Sequence, residues 1–489
     1  MEINLEYHKN RYKNVEKFLE TSHIELENIQ TYFPNIYIPN SHISKWSSIK
    51  LKFHLISVIN KSINNYIGTI IDPSGYPNIV PFHIKSTPII EPRTLNNYQK
   101  YKSSHWIPGK YLKWRNTIDK INNINNSAYV DTLCSILLSR LREQNLTPHF
   151  GLLYGVYTGI IKDYQEDITE EYSMINDEDW FIKSLNKKNF IMKKISPKNK
   201  KNIDILGLEK CCLDDFAVDI PESEYILKNY DSDEDSNSKT ILIYPEVPVQ
   251  IVFMEKFEIT LDDLIKKSIS RVRIPTRYNF IRQIRKNIVI NKLKSWFFQI
   301  CAGLSCANKY INFVHNDLHV QNVMGMKTDK IFLYYKNNNN TYKIPTYGYV
   351  MNIIDFGRST FKINNNQYIG DIFDEDADAG GQYTKTGPIP HPAFDLARLA
   401  CSFLEDLDDS YWPTKNDLEN TDIGHLISSW TYDDTGFSLL DIEGFDLYIR
   451  IASHFRKTTP NIVINDKIFN NYIYNHSNSD INDNCLIHL

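Results

Sequence analysis

Residues 313 to 326 read FVHNDLHVQNVMGM, which crowds His315, Asn316, Asp317, His319 and Asn322 into eight positions. Thirty-three residues beyond Asn322, the stretch MNIIDFGRS brings Asp355 with Phe356 and Gly357 behind it. An aspartate can accept the proton of an attacking hydroxyl. Amide and carboxylate oxygens are the ligands that hard divalent cations such as Mg²⁺ prefer. A lone Asp or Asn is ordinarily a turn or cap residue. It is the ordered grouping of acid, amide and second acid that points to chemistry.

Such a set has to be held by a folded scaffold, and the totals supply one. The chain has 489 residues, 42% of them hydrophobic and 13% aromatic, enough for a substantial core. A net charge of -4 lacks the basic excess expected of a nucleic-acid-binding protein. Seven scattered cysteines do not form the dense framework of a small secreted domain, and read as reduced thiols. The opening residues lack the apolar core of a signal peptide, and no run approaches the length of a membrane span. No nucleic acid and no membrane span are therefore expected, and oligomeric state is left open.

Between Leu51 and Pro92, β-branched and aromatic residues alternate with the turn signals INKSINN and DPSGYP, which predicts three antiparallel strands. SAYVDTLCSILLSRLREQ has Val130, Leu133, Leu137 and Leu141 on one stripe and predicts a helix, with Ser127 as its N-cap. HFGLLYGVYTGII and VPVQIVFMEKF add two strands, giving a sheet of about five strands with one helix. The acidic runs DYQEDITEEY and NYDSDEDSNSK, within about 163–244, read as solvated insertion loops. In LKSWFFQICAGLSCANKY, Leu293, Trp296, Phe297, Ile300, Cys301 and Leu304 follow the spacing of a buried helix face. FDLARLACSFLEDL and FDLYIRIASHF read as further helices, and the segment between Asn322 and Asp355 as a lengthened β-hairpin.

H-x-D-L-x-x-x-N followed by D-F-G resembles the catalytic loop and metal-binding motif of the protein-kinase superfamily. The resemblance implies an α+β, two-lobed fold: a small antiparallel N-lobe sheet with one helix, and a mostly helical C-lobe. It implies Asp317 as the catalytic base, Asn322 and Asp355 as ligands of Mg²⁺, with Mn²⁺ as a substitute, and His315 as a brace for the loop. FHIKS resembles the third-strand lysine motif and makes Lys85 the partner of the ATP α- and β-phosphates. Asp131 is then the acid that pairs with that lysine. Met254 lines the adenine pocket and Glu255 to Phe257 form the hinge. Asp395 in HPAFDLARLA resembles the buried aspartate that opens the long C-lobe helix.

Three features depart from the superfamily pattern. The first hairpin offers only Gly68 where a glycine-rich loop is expected, TGPIPHPAF replaces A-P-E, and Asn316 replaces the usual arginine. His319 stands where serine/threonine kinases place a lysine, a form closer to aminoglycoside and choline kinases. The wording H-N-D-L-H, with HIKSTPIIEP and TPHFGLLYG, resembles divergent protein kinases of large cytoplasmic DNA viruses. That resemblance implies an ATP-dependent serine/threonine kinase acting on protein substrates in the host cytoplasm, with packaging in the virion a further expectation. A small-molecule kinase and a non-catalytic pseudokinase scaffold are the alternatives. The expected organisation is an N-terminal extension at 1–45, an N-lobe at 46–258 carrying the acidic insertion, and a C-lobe with tail at 259–489.

Overall fold

Alternating strands of the first half and apolar-striped helices of the second fold into two units. In this computed structural model one unit gathers Leu5–Ile124 and Tyr154–Met254, and the other gathers Met1–Asn4, Asn125–Leu153 and Glu255–Leu489. The described residues are 51–93, 120–195, 238–407, 412–474 and 486–489, apart from 63–64, 122, 170, 188, 275–277, 364–365, 376, 378 and 384–386, together with five short strands at 7–8, 26–30, 48–49, 202–203 and 209–210. The first unit is built on a sheet and the second is mostly helical, so the fold class is the expected α+β.

In the sheet unit, β1 (His54–Ser62), β2 (Asn65–Ile71) and β3 (Pro77–Pro88) form the expected antiparallel run. Asp72 closes the β2–β3 turn by accepting the N–H groups of Ser74 and Tyr76, each at 2.9 Å, while Gly75 takes φ +84°. That is the side-chain turn chemistry that DPSGYP encodes. Beyond β3 lie β6 (Lys239–Glu255), β4 (Leu153–Asp167) and the edge strand Leu26–Gln30, and β5 (Ile191–Ile195) pairs with β6, making seven strands. Phe82 packs on both Tyr66 and Phe253 with ring centroids 5.6 Å apart.

The expectation of solvated loops fails at both ends of the acidic insertion. β4 runs on to Asp167 and β6 begins at Lys239. Glu166 pairs with Arg93 at 2.9 Å and accepts the Tyr244 hydroxyl at 3.0 Å, and Asp167 pairs with Lys239 at 2.8 Å. These partners lie up to seventy-eight positions away along the chain, so a local charge count could not reveal them. Helix α2 (Asp179–Asn186) follows and sets Phe181 against Phe190. Most of NYDSDEDSNSK lies outside the described residues.

In the helical unit, α1 (Ser127–Glu143) buries its predicted stripe, but its cap is Asn126 rather than Ser127. The Asn126 side chain accepts the Ala128 N–H at 3.0 Å. Ser127 is diverted: its N–H and hydroxyl both donate to Asp371 Oδ1, at 2.9 and 2.8 Å. Helices α3 (Leu261–Arg273) and α4 (Asn279–Ile311) follow, and the α4 residues expected to be buried are buried.

The lengthened hairpin is two nested ones. β8 (Val323–Lys327) pairs with β11 (Tyr349–Ile353) and with β7 (Ile259–Thr260), while β9 (Phe332–Asn337) and β10 (Asn340–Pro345) form an inner pair. Strand β12 (Leu486–His488) adds to β9 in parallel. Phe298 of α4 packs on the inner pair, against Tyr335 of β9 and Tyr342 of β10, both at 5.3 Å. Helices α5 (Phe394–Glu405) and α6 (Asp446–His454) flank the loop described next. Among the described residues, Cys134, Cys301, Cys306 and Cys401 are buried and unbridged, and no helix is long and apolar enough to cross a membrane.

Candidate active site

Helix α4 ends on Asn312 in the left-handed conformation, φ 48°, which an asparagine tolerates better than most residues. The chain then turns inward, and Val314 exchanges N–H to C=O bonds with Thr360, both at 2.9 Å. The next two N–H groups, of His315 and Asn316, donate to Oδ2 and Oδ1 of Asp395, each at 2.9 Å. Asp395 lies in the first turn of α5 and is 1% exposed. Burial pushes its carboxyl up to about 7, the two N–H donors act against that shift, and the nearby Asp317 charge adds to it.

His315 is fully buried, with Nε2 2.8 Å from the Ile354 carbonyl, so the ring bridges the loop to the residue before Asp355. Burial lowers its pKa, more than the Ile354 contact raises it, and the ring stays neutral. Its Nδ1 receives the Asp317 N–H at 3.3 Å.

Asp317 is half-buried. Its Oδ1 accepts the Tyr448 hydroxyl at 2.6 Å and lies 3.9 Å from Arg398 Nε, and among the described residues no donor reaches Oδ2. Asn322 donates Nδ2 to the Asp317 carbonyl at 2.9 Å, and its own carbonyl accepts the Ile354 N–H at 3.0 Å. That bond continues the β8–β11 ladder, in which Val323 faces Ile353, so Asn322 pairs with the residue just before Asp355 at one end of it. Asp355 is exposed and holds φ +64°. A non-glycine residue there stores roughly 1–3 kcal/mol of strain, which persists only where the surroundings impose it.

The donor set fits a hard divalent cation in part. No group of three or more His, Cys, Asp or Glu side chains that could hold a metal occurs among the described residues. The Asn322 amide oxygen, which no described protein donor occupies, and the Asp355 carboxylate are two oxygens of the kind such a cation takes. Mg²⁺ takes one or two protein oxygens and fills its octahedron with phosphate and water.

The remaining candidates belong to both units. Lys85 is half-buried on β3 and Met254 half-buried on β6, both in the sheet unit. Asp131 is buried on α1, in the helical unit. Glu255 is an anchor: its carboxylate receives Arg142 through Nη1 and Nη2 and the Leu152 N–H, and its own N–H donates to the Leu152 carbonyl at 2.9 Å. That N–H is not open to a nucleotide base. Phe257 is buried with its ring on Gly151, where a Cβ would come within 3.1 Å. Gly68 is not a loop glycine. It pairs with Val58 and Val80 in mid-strand, and a Cβ there would fall 2.4 Å from Leu55 Cδ1 and 2.8 Å from the Ser57 carbonyl.

Several residues of this site gave no sequence signal of their role. Asn316, which reads only as a departure from arginine, takes φ +63° and donates Nδ2 to the Arg358 carbonyl at 2.9 Å while its Oδ1 accepts the Tyr383 hydroxyl. The left-handed tolerance of asparagine was the one available hint. Tyr448 and Arg398 meet Asp317 from helices 131 and 81 positions away, beyond any local pattern.

No family model matches the chain. A 106-residue stretch is 38% identical to the serine/threonine-protein kinase haspin of Bos taurus, covering 21% of this chain and 14% of that protein. Haspin of Mus musculus matches at 44% over 63 residues, 13% and 8% of the two chains. A probable serine/threonine-protein kinase of Dictyostelium discoideum matches at 34% over 86 residues, 16% and 7%. The matched part spans at most 14% of the length of these relatives. Among solved structures, the ROP18 kinase domain in complex with AMP-PNP and sucrose aligns over 91% of this chain and 83% of that one, at 10% identity and a TM-score of 0.29, too low to bear on the site. By its sequence relatives, the chain carries a protein-kinase-like domain distantly related to eukaryotic serine/threonine kinases.

Proposed function

We propose that this chain is an ATP- and Mg²⁺-dependent protein kinase that transfers the γ-phosphate to serine or threonine hydroxyls of protein substrates. The observation that supports the reading is the bond from the Asn322 side chain to the Asp317 carbonyl at the end of the β8–β11 ladder, with Asp355 next to Ile354, which pairs with Asn322, and with Asp395 holding the loop backbone at His315 and Asn316. Phosphoryl transfer depends on positioning and electrostatics, and this cluster is preorganised by buried hydrogen bonds.

In this reading Asp317 Oδ2 takes the proton of the acceptor hydroxyl, a role that typically contributes 10²–10⁴-fold, or about 3–5 kcal/mol. Asn322 and Asp355 hold the divalent ion, which when bound neutralises phosphate charge. His315 and Asp395 hold the loop backbone. Lys85 as the phosphate partner, Asp131 as its acid, and Met254 with Phe257 beside adenine are carried by motif position alone. The H-N-D-L-H wording carries the likeness to viral kinases, and with it the proposal of action in the host cytoplasm.

The test is incubation of the full chain with γ-labelled ATP, Mg²⁺ and generic protein acceptors. The reading expects label on serine or threonine, lost in Asp317→Asn and Asp355→Asn. Labelling that survives both substitutions would overturn it. ADP release that requires a metabolite, without protein labelling, would favour the small-molecule kinase that His319 suggests. Failure to bind ATP with Mg²⁺ would favour a scaffold.

A further inference from the structure

Tyr448 of α6 reaches the Asp317 carboxylate, and neither its helix nor its spacing marked it for that position. Its hydroxyl donates to Asp317 Oδ1 at 2.6 Å and accepts from Arg398 Nε at 2.9 Å. The Arg398 and Arg358 guanidinium carbons lie 5.3 and 5.4 Å from its ring centroid, and Phe394 and Phe445 pack on the same ring at 6.0 and 5.6 Å. We propose that Tyr448, backed by Arg398, is a positioning residue that fixes the Asp317 carboxylate so that Oδ2 alone faces the acceptor hydroxyl. The inference deepens the kinase reading and rests on it.

Three observations carry it. The Asp317 carboxylate has two oxygens, and the protein occupies one of them: Oδ1 is held, while among the described residues no donor reaches Oδ2. A carboxylate that pivoted freely would present either oxygen, and small misplacements of a reacting group slow reactions severely. The tyrosine, moreover, is not poised to swing away. Its hydroxyl is bonded on both sides and its ring touches two guanidinium groups and two phenyl rings, so it is fixed in the way a positioning residue has to be.

The charge arrangement also fits. The loop itself supplies no permanent cation beside Asp317, because FVHNDLHVQN contains neither lysine nor arginine. Arg398 supplies that charge from α5, at 3.9 Å, beyond direct hydrogen-bond reach, and the Tyr448 hydroxyl bridges the gap. Burial first, and the Asp317 charge second, hold the Tyr448 hydroxyl above its ordinary pKa, so it remains a donor at neutral pH.

The experiment compares the full wild-type chain with Tyr448→Phe, Arg398→Gln and the double variant, using ATP, Mg²⁺ and a protein acceptor that the wild type labels. Tyr448→Phe keeps the ring and removes only the bridge. It should lower kcat about tenfold with KM for ATP unchanged, and the loss of one hydrogen bond should lower the thermal midpoint by no more than a few degrees. The double variant should be no slower than the slower single variant, because both act through one oxygen. Where Arg398→Gln does not fold, Arg398→Lys replaces it and should give a smaller loss. An unchanged kcat, or additive losses, would overturn the proposal. A rise in kcat would overturn it too, since the hydroxyl would then be occupying the acceptor's own place. A wild type that binds ATP yet labels no protein overturns the kinase reading and this inference together, and that outcome is seen before any variant is compared.

Discussion

The loop at 313–322 and the hairpin of β1 and β2 present opposite solutions to holding a backbone. In the loop the backbone is held by buried polar bonds: Asp395 takes two successive N–H groups, and His315 and Asn316 tie it to the segment at 354–360. In the hairpin the backbone is held by strand pairing and by close packing, with Gly68 pressed against Leu55 and the Ser57 carbonyl. The loop therefore keeps specific residue types because each bond needs them. The hairpin needs only a residue without a side chain at one place, and a single glycine in a sequence says little about why it is there.

The largest effect that tests this contrast is on rate. Asp317→Asn should slow phosphotransfer by roughly 10²–10⁴-fold while leaving the denaturant midpoint almost unmoved. Asp355→Gly should abolish transfer and yet leave the protein as stable or more so by about 1 kcal/mol, because glycine adopts a positive φ without strain. A loop whose acids were scaffold would lose stability instead, and urea unfolding of the two variants separates these cases.

Next in size is Asp395→Ala. It strands two buried N–H groups and should destabilise by about 3 kcal/mol or more, read from the urea midpoint. Lys85→Met in the sheet unit is the counterpart: activity should fall while stability shifts by less than about 1 kcal/mol. If Lys85→Met unfolds the protein, the contrast between a bonded loop and a packed hairpin does not extend to β3.

Gly68→Ala comes third. The added Cβ would meet Leu55 and the Ser57 carbonyl, so stability should fall by about 1–3 kcal/mol with little change in KM for ATP in the folded fraction. A stable Gly68→Ala with a raised KM would instead make Gly68 a phosphate-binding glycine.

The smallest net effect is the dependence of stability on pH, because two buried groups oppose each other. His149 is held between the Met351 carbonyl and the Tyr335 hydroxyl, and burial pulls its pKa from 6.5 to about 4. The unfolded chain takes that proton first, so stability is lost as pH falls from 6.5 towards 4, in all by about 3 kcal/mol. His315, also lowered by burial, acts in the same sense. Asp395 runs the other way: its pKa is raised from 3.8 to about 7, so its contribution is full below 3.8 and is lost as pH rises through 7. Urea midpoints between pH 4 and 7.5 should therefore be shallow in the wild type, steepen on the acid side in Asp395→Asn, and reverse their slope in His149→Gln. Equal slopes in all three would show that neither group titrates as its burial demands.

Much of the architecture was legible because it is local. The β-branched and aromatic clusters of β1 to β3 between their turn signals, the stripe of Val130, Leu133, Leu137 and Leu141, and the buried face of α4 are local patterns, which short-range sequence carries. The ordering of Asp317, Asn322 and Asp355 was legible for another reason: the proposed chemistry calls for carboxylate and amide side chains in that order. What only the tertiary structure decided involves partners far apart in the chain. Ser127 was expected to cap α1 and instead serves Asp371, 244 positions on. The Glu255 carboxylate is tied to Arg142, 113 positions away. The ends of the acidic insertion found Arg93 and Lys239. β12 completed a sheet that no local pattern announced, and Tyr448 reached Asp317 across 131 residues. The physical reason is common to all of these. A side chain's local spacing fixes which face of its element it occupies, but which donor or charge it meets there depends on where the rest of the chain has folded.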